Sequence, residues 1–167
     1  MQRVLVIDFN AGSAKLAGEL MKEIGARQIV GASKTDRALA IAQDFDPHLI
    51  LTELNGPGLD GLEFTRQLRR SPFACRKVPV IVMTAEATAA SITGARNAGM
   101  HEFLRKPYTA GDLFKRVENV ILKPRPWIEA VMYVGPDRRR FNSGEFTGAR
   151  KRRSDGGAPA EMLARAG

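Results

Sequence analysis

The sequence contains little cysteine and histidine and no long apolar run. Its single cysteine, Cys75, has no partner for an internal disulfide bond, which excludes the disulfide-rich class of small secreted domains. No stretch approaches the roughly 20 apolar residues that a membrane-spanning helix requires. We therefore expect a cytoplasmic protein that makes no contact with a membrane.

The two histidines, His48 and His101, stand far apart, and neither lies beside a cluster of cysteines or carboxylates. Because metal sites usually gather several such ligands, we predict no metal site and place both histidines at the surface or in loops. The chain also has no evident nucleophile–base pair and no glycine-rich Walker loop. We predict that it is not an enzyme.

Positive charge, by contrast, is abundant. The chain has 26 Lys+Arg against 18 Asp+Glu, which gives a formal net charge of +8. This excess is densest near the C-terminus, where residues 137–155 contain seven basic and three acidic side chains. Such a segment favours anionic partners.

Short apolar runs alternate with helical patterns from residue 4 to residue 122. The runs predict strands at 4–7, 29–30, 49–51, 78–83 and 102–105. Helical spacing predicts helices at 13–24, with Ser13 as a cap, and at 35–45, 62–70, 87–98 and 113–122. Apolar strands alternating with amphipathic helices predict an α/β fold, a doubly wound five-stranded parallel sheet covered on both faces. We assign this domain to residues 1–123.

Four polar residues follow the ends of predicted strands. They are Asp8, Glu53, Thr84 and Lys106. Because the carboxyl ends of parallel strands share one edge of a sheet, where ligands bind in this class of fold, we expect the four side chains to converge. The alternative is that strand ends are simply polar.

The prolines at 124 and 126 mark a boundary, and we assign residues 124–167 to a C-terminal extension. Residues 127–134 are apolar and could form a short helix or an added strand, with Trp127 packing the extension onto the domain. From Gly135 onwards the composition, rich in Gly, Arg and Ser, predicts a flexible segment that is largely disordered without a ligand.

Five sequence blocks carry a family resemblance. They occupy residues 4–8, 47–53, 57–61, 80–85 and 106–107. In order and spacing they resemble the signature blocks of response-regulator receivers, so residues 1–123 are similar to the CheY-like domains with the flavodoxin-like receiver fold. The resemblance implies one Mg²⁺-binding carboxylate at Asp8, a phosphate-sensing hydroxyl at Thr84 and a phosphate-contacting lysine at Lys106. It also implies a switch aromatic at Phe103 and a cis bond before Pro107.

Two residues depart from this family pattern. Phe9 stands where the family has a second metal-binding carboxylate, and Glu53 stands at the position of the aspartate that accepts phosphate. Phosphoryl transfer to a carboxylate uses Mg²⁺, which needs well-placed oxygen ligands. We therefore predict a degenerate pocket without Mg²⁺ or ordinary phosphorylation, and a Glu53–Lys106 ion pair. The pocket could be fixed in a phosphate-mimicking active state, or the ion pair could be merely structural.

Arginine, aspartate and aromatic residues occur together in residues 133–157, which we call the arginine-rich segment. Arginine offers a planar fork to phosphates and to guanine, aspartate accepts from the other guanine edge, and aromatic rings stack on bases. This combination predicts a guanine-nucleotide site. Its candidate residues are Tyr133, Pro136, Asp137, Arg138, Arg139, Arg140, Phe141, Asn142, Ser143, Gly144, Arg150, Arg152, Arg153, Ser154 and Asp155.

The arginine-rich segment resembles the extensions of those CheY-like regulators that bind cyclic di-GMP and act on the flagellar motor. The resemblance implies a cyclic di-GMP ligand, bound as a stacked dimer by the two arginine clusters, that orders the segment. It also implies a protein partner, the flagellar switch, engaged by the fourth helix, the fifth strand and the fifth helix. The alternatives are a nucleic-acid-binding regulator, a phosphorylation-responsive receiver and a plain solvated or protein-docking tail.

Overall fold

A computed structural model describes residues 2–139 of the chain. The strands are β1 (Arg3–Ile7), β2 (Gln28–Ala32), β3 (Leu49–Thr52), β4 (Val80–Thr84) and β5 (Glu102–Arg105). The helices between and after them are α1 (Ala11–Glu23), α2 (Thr35–Phe45), α3 (Gly61–Arg70), α4 (Ala89–Ala98) and α5 (Ala110–Leu122). Two-residue strands at Asn55–Gly56 and Leu59–Asp60 and a 3₁₀ turn at Ala74–Lys77 complete the connections. The predicted α/β fold is confirmed.

The five main strands form one parallel sheet in the order β2-β1-β3-β4-β5. The chain moves outward from β1 to β2 and then returns to the other side of β1, so the strand order reverses between β1 and β3. In doubly wound sheets this reversal opens a crevice at the carboxyl ends of the strands. The sheet therefore places the residues that follow β1 and β3 side by side.

The sheet is buried on both faces, which explains why its central strands are continuously apolar. One face packs on α2, α3 and α4, with Phe64 and Leu68 of α3 fully buried. The other face packs on α1 and α5, with Met21 and Leu113 fully buried. Burial of each large apolar side chain stabilises the fold by roughly 1.5–3 kcal/mol. Packing on both faces therefore holds the sheet, and with it the strand ends, in place.

The helix starts are set by local hydrogen bonds. The expectation that Ser13 caps α1 is wrong, because the Asn10 side chain accepts the Ser13 N–H at 2.9 Å and the helix begins at Ala11. Asp60 caps α3 in the same way by accepting the Glu63 N–H at 2.8 Å. Both residue types are favoured at this position because their short side chains reach the unpaired N–H groups of the first turn.

Beyond α5 the chain forms an antiparallel hairpin of β6 (Trp127–Ala130) and β7 (Tyr133–Pro136), hereafter the hairpin. Residues 127–134, for which the sequence left both helix and strand open, therefore form strands joined by a turn. β7 packs against α3 and α4. Gly135, which we expected in the flexible segment, belongs to β7 and passes so close to Gly99 that a Cβ on it would lie 2.9 Å from the Gly99 Cα.

Arg69, in the last turn of α3, joins the α/β domain to the hairpin. Its side chain is 1% exposed and donates to the carbonyl oxygens of Gly99, Arg76 and Val78 at 2.7–3.0 Å. Burial is the main cause that lowers the pKa of Arg69, to about 9. Trp127 covers this guanidinium, with its ring centre 5.3 Å from the guanidinium carbon. Trp127 thus packs the start of the extension onto the domain, as predicted.

His101 lies in the loop before β5, as the prediction of a surface or loop position allows, but it is only partly exposed. Its Nδ1 accepts the Val80 N–H at 3.2 Å and lies 3.3 Å from Arg69 Nη2. Burial, followed by the charges of Arg69 and Arg125, lowers the pKa of His101 to about 3. His101 is therefore neutral at physiological pH, whereas His48 is exposed as predicted.

Several candidate nucleotide contacts lie outside the described residues. They are Arg140, Phe141, Asn142, Ser143, Gly144, Arg150, Arg152, Arg153, Ser154 and Asp155. Within residues 2–139, no helix combines the length and the apolar character needed to cross a membrane.

Candidate functional site

Three of the four polar residues at the strand ends, Asp8, Glu53 and Lys106, meet in one place, which we call the strand-end pocket. Lys106 follows β5, and its Nζ lies 2.7 Å from Asp8 Oδ2 and 2.7 Å from Glu53 Oε2. Asp8, Glu53 and Thr84 are almost completely buried. The predicted ion pair between Glu53 and Lys106 is present, and Asp8 shares the same ammonium group.

Backbone groups occupy the remaining carboxylate oxygens of the strand-end pocket. Asp8 Oδ1 accepts the Asn10 N–H at 2.8 Å, and Glu53 Oε1 accepts the Leu54 N–H at 2.8 Å. Each of the four carboxylate oxygens therefore has a donor within the protein, as buried charged groups require. Glu53 contacts Lys106 with one oxygen and its own loop with the other, so its position is well defined.

The charge of Lys106 is stabilised by this arrangement. Burial by itself would lower the pKa of Lys106, but the hydrogen bonds and charges of Asp8 and Glu53 outweigh burial and raise it. The lysine therefore remains protonated at neutral pH. The ammonium group of Lys106 neutralises part of the charge of two carboxylates and thereby stabilises the strand-end pocket.

Phe9 lies at the mouth of the strand-end pocket. Its side chain is 43% exposed, and its ring packs so closely on Gly56 that a Cβ at that glycine would overlap it. Across the same mouth, Asn55 Nδ2 donates to Glu86 Oε2 at 3.4 Å. An apolar ring thus occupies the position where the receiver pattern has a second carboxylate.

The residues of the pocket do not fit a bound Mg²⁺. This ion prefers octahedral oxygen ligands, commonly one or two carboxylates with several waters. Here the outer oxygens of Asp8 and Glu53 contact Lys106, and Phe9 supplies no oxygen. Within residues 2–139, no group of three or more His, Cys, Asp or Glu side chains is placed to hold a metal ion.

The first residues of the arginine-rich segment lie at the C-terminal end of α4. Arg138 Nη1 donates to Asn97 Oδ1 at 2.9 Å, and its guanidinium carbon lies 4.6 Å from the centre of the Tyr133 ring. Asp137 Oδ1 accepts the Arg139 N–H at 3.0 Å. The structure thus brings Asp137, Arg138 and Arg139 together on the surface.

Two other predicted nucleotide contacts, Tyr133 and Pro136, are buried in the hairpin. The Tyr133 hydroxyl donates to the Pro136 carbonyl oxygen at 2.5 Å, and Arg138 covers one face of the Tyr133 ring. In this conformation Tyr133 supports Arg138 and does not offer its ring to a base. Sequence reasoning missed Asn97, because nothing in the sequence indicates that the end of α4 meets the hairpin.

The helices α4 and α5 expose several large apolar side chains. Ile92 on α4 and Phe114 on α5 are about half exposed, at 45% and 49%, and Ile121 is 52% exposed. Phe103 of β5, the predicted switch aromatic, is half-buried and packs against the core layer under α2, α3 and α4.

Comparison with known proteins extends these observations. The chain is 27% identical over 118 residues to the probable chemotaxis protein CheY of Rhizobium etli, covering 71% of this chain and 91% of that protein. It is 25% identical over 118 residues to chemotaxis protein CheY-3 of Vibrio cholerae, with coverage of 71% and 90%. These alignments span most of the relatives.

Solved structures share the fold. Vibrio cholerae chemotaxis protein CheY4 superposes with a TM-score of 0.67 at 23% identity, covering 72% of this chain and 98% of that one. The receiver domain of the Pseudomonas aeruginosa sensor histidine kinase PA1611, which has a magnesium ion coordinated in its active-site cleft, gives 0.66 at 25% identity, covering 73% and 98%. Residues 4–118 also match the family model of the response regulator receiver domain. The chain therefore belongs to the response regulator receiver family.

Proposed function

We propose that this chain is a cytoplasmic signalling adaptor in which the receiver domain works without phosphorylation and catalyses no reaction. It binds cyclic di-GMP through the arginine-rich segment and then docks on a protein partner. The observation that carries the first part is the position of Lys106, 2.7 Å from both Asp8 and Glu53.

The strand-end pocket supports signalling without phosphate for three reasons. Glu53 is one methylene longer than the family's aspartate, and both of its carboxylate oxygens are already hydrogen-bonded. Phe9 stands where a carboxylate would hold Mg²⁺. Without that ion, the charge of a transferring phosphoryl group is not neutralised. Lys106, which resembles the phosphate-contacting lysine of the family, is already paired with Glu53. The pocket therefore has a fixed charge distribution, and Mg²⁺ is not a cofactor of this chain.

The chemistry and placement of the arginine-rich segment support the nucleotide ligand. Asp137, Arg138 and Arg139 lie together on the receiver surface, next to the end of α4. Their guanidinium and carboxylate groups can pair with the phosphates and the guanine edges of cyclic di-GMP. Residues 150–155 add the second arginine cluster, so a stacked dimer with two equivalent halves suits the segment.

The face of α4, β5 and α5 is the proposed docking surface for the protein partner. Ile92, Phe114 and Ile121 give it exposed apolar area. Relatives named as chemotaxis proteins make the flagellar motor switch the partner that we propose. The nucleotide site lies at the end of α4, so the ligand and the partner would share one helix.

Calorimetry on the intact chain tests the ligand. Cyclic di-GMP should bind, whereas GTP, cyclic di-AMP and a short DNA duplex should not, and Arg139→Ala should weaken binding. Equal binding of DNA, with an affinity that falls steeply with salt, would instead identify a nucleic-acid-binding regulator. Mg²⁺-dependent labelling of Glu53 by acetyl phosphate would identify a phosphorylation-responsive receiver. Binding of none of these nucleotides would leave a receiver whose basic segment serves another anion or a protein.

A further inference from the structure

Arg138 is held from two sides by residues of the receiver and the hairpin. We propose that Tyr133 and Asn97 position the Arg138 guanidinium as a preformed stacking platform for one guanine base of the ligand. This inference rests on the proposed function and adds two positioning residues to its site, one of them on α4.

The geometry leaves the platform available to a ligand. The guanidinium carbon lies 4.6 Å from the centre of the Tyr133 ring, within the range of a cation–π contact, and the Arg138 side chain is exposed. One face of the guanidinium therefore rests on Tyr133, and the residue as a whole is exposed. Asn97 Oδ1 is its hydrogen-bond acceptor within residues 2–139. Because arginine carries five N–H donors, this bond uses only one of them among the described residues.

Both supporting residues belong to well-packed elements. Tyr133 is 8% exposed, and its hydroxyl donates to the Pro136 carbonyl oxygen. Burial raises the pKa of Tyr133, so its hydroxyl stays protonated at neutral pH and keeps that bond. Asn97 lies in the last turn of α4, which ends at Gly99 in a left-handed conformation. The platform is thus fixed to the receiver even though the rest of the site lies further along the chain.

Positioning of this kind strengthens binding without a new contact to the ligand. A free arginine side chain loses conformational entropy when it is immobilised, and this loss weakens binding. Arg138 has already lost much of that freedom before the ligand arrives. Its flat open face can stack on a base, and its N–H groups can reach phosphate or guanine oxygens. The contact of Arg138 with the ligand therefore needs little further ordering of its side chain, and the other arginines can bind the ligand afterwards.

The test is calorimetry with cyclic di-GMP on the intact chain. Asn97→Ala changes no charge, so a weaker affinity isolates positioning, and we expect a loss of about five- to tenfold. Arg138→Lys keeps the charge but removes the planar group, and we expect at least the same loss. Arg96→Ala is the matched control, because it removes a positive charge from the same turn of α4 without touching the platform. It should change the affinity by less than about twofold.

A double variant separates positioning from general stability. If Asn97 acts through Arg138, Asn97→Ala should have no further effect on affinity in an Arg138→Lys chain. Equal affinities of the wild type, Asn97→Ala and Arg138→Lys would overturn the platform and leave cyclic di-GMP binding intact. Equal losses from Arg96→Ala and Asn97→Ala would also overturn it, because any change in the last turn of α4 would then have the same effect. Absence of binding by the wild type would overturn the proposed function itself.

Discussion

The guanidinium carbon of Arg69 lies 5.3 Å from the centre of the Trp127 ring. This contact joins the last turn of α3 to the first residue of the hairpin, beyond the residues 4–118 that match the receiver family. Within residues 2–139 Arg69 has no carboxylate partner, so this buried guanidinium depends on carbonyl oxygens and on a cover that excludes water. The hairpin provides that cover, and in doing so it places Arg138 next to α4.

Trp127→Ala should therefore destabilise the whole receiver and not only the hairpin. We expect the free energy of unfolding to fall by about 2–3 kcal/mol, through loss of apolar burial and of the cation–π contact. Urea denaturation followed by circular dichroism measures this change. Ile128→Ala, at a neighbouring side chain that is 37% exposed, should cost less than about 1 kcal/mol. Equal effects of the two changes would show that Trp127 does not stabilise Arg69.

His101 predicts a specific dependence of stability on pH. Its pKa is lowered to about 3 in the folded chain from an ordinary value near 6.5, so the unfolded chain takes up a proton first as the pH falls. Stability contributed by neutral His101 is present above pH 6.5 and is lost as the pH falls towards 3. The loss should approach about 1.4 kcal/mol per pH unit below 6.5.

The measurement for His101 compares urea denaturation of the wild type and His101→Asn between pH 7 and pH 4. Carboxylates titrate in both proteins, so the difference between the two slopes isolates the histidine. The variant should be less stable at pH 7, because the bond to the Val80 N–H is altered. Its stability should nevertheless fall less steeply with acid. Parallel slopes would contradict a buried neutral His101.

Lys106 should be essential for the stability of the strand-end pocket. Lys106→Met leaves the buried carboxylates of Asp8 and Glu53 facing each other without a cation, which should cost about 3 kcal/mol at pH 7. Adding Glu53→Gln should recover part of the loss, because one of the two negative charges is removed. Lys115→Met, at an exposed position of α5, is the matched control. Equal unfolding free energies for the two lysine variants would contradict the ion-pair network.

The sequence predicted the pocket well for a physical reason. Asp8, Glu53 and Lys106 each follow a strand, and a parallel sheet necessarily brings its carboxyl ends to one edge. The segment at 127–134 was ambiguous, because its apolar positions satisfy both a helical and an extended period. Only packing against α3 and α4 decides between the two.

Other features depend on contacts between distant parts of the chain, and local patterns do not contain them. Arg69 is an arginine in the last turn of an amphipathic helix, where such side chains are usually solvated, yet it is buried. Asn97 is exposed and polar, and it contacts Arg138 only because the hairpin brings Arg138 to it. His101 was predicted at the surface or in a loop, and its contacts with Arg69 and Val80 could not be foreseen because these residues are far away in the sequence.

The two departures from the receiver pattern predict a gain of function when they are reversed. Phe9→Asp restores a second carboxylate beside Asp8, and Glu53→Asp shortens the acceptor so that it can withdraw from Lys106. The double variant should become labelled by acetyl phosphate in a Mg²⁺-dependent reaction, because both the metal ligands and the acceptor are then those of the family. Intact-mass measurement of an acid-stable, base-labile adduct would detect the product.

The single variants and the wild type serve as controls for this experiment. Glu53→Asp alone should be labelled weakly, since Phe9 still withholds an oxygen ligand and covers Gly56. The wild type should show no adduct with or without Mg²⁺. If the wild type were labelled as strongly as the double variant, the proposal that this receiver works without phosphorylation would be wrong. A double variant that binds Mg²⁺ but stays unlabelled would show that Lys106 and its neighbours, and not the two departures, make the pocket inert.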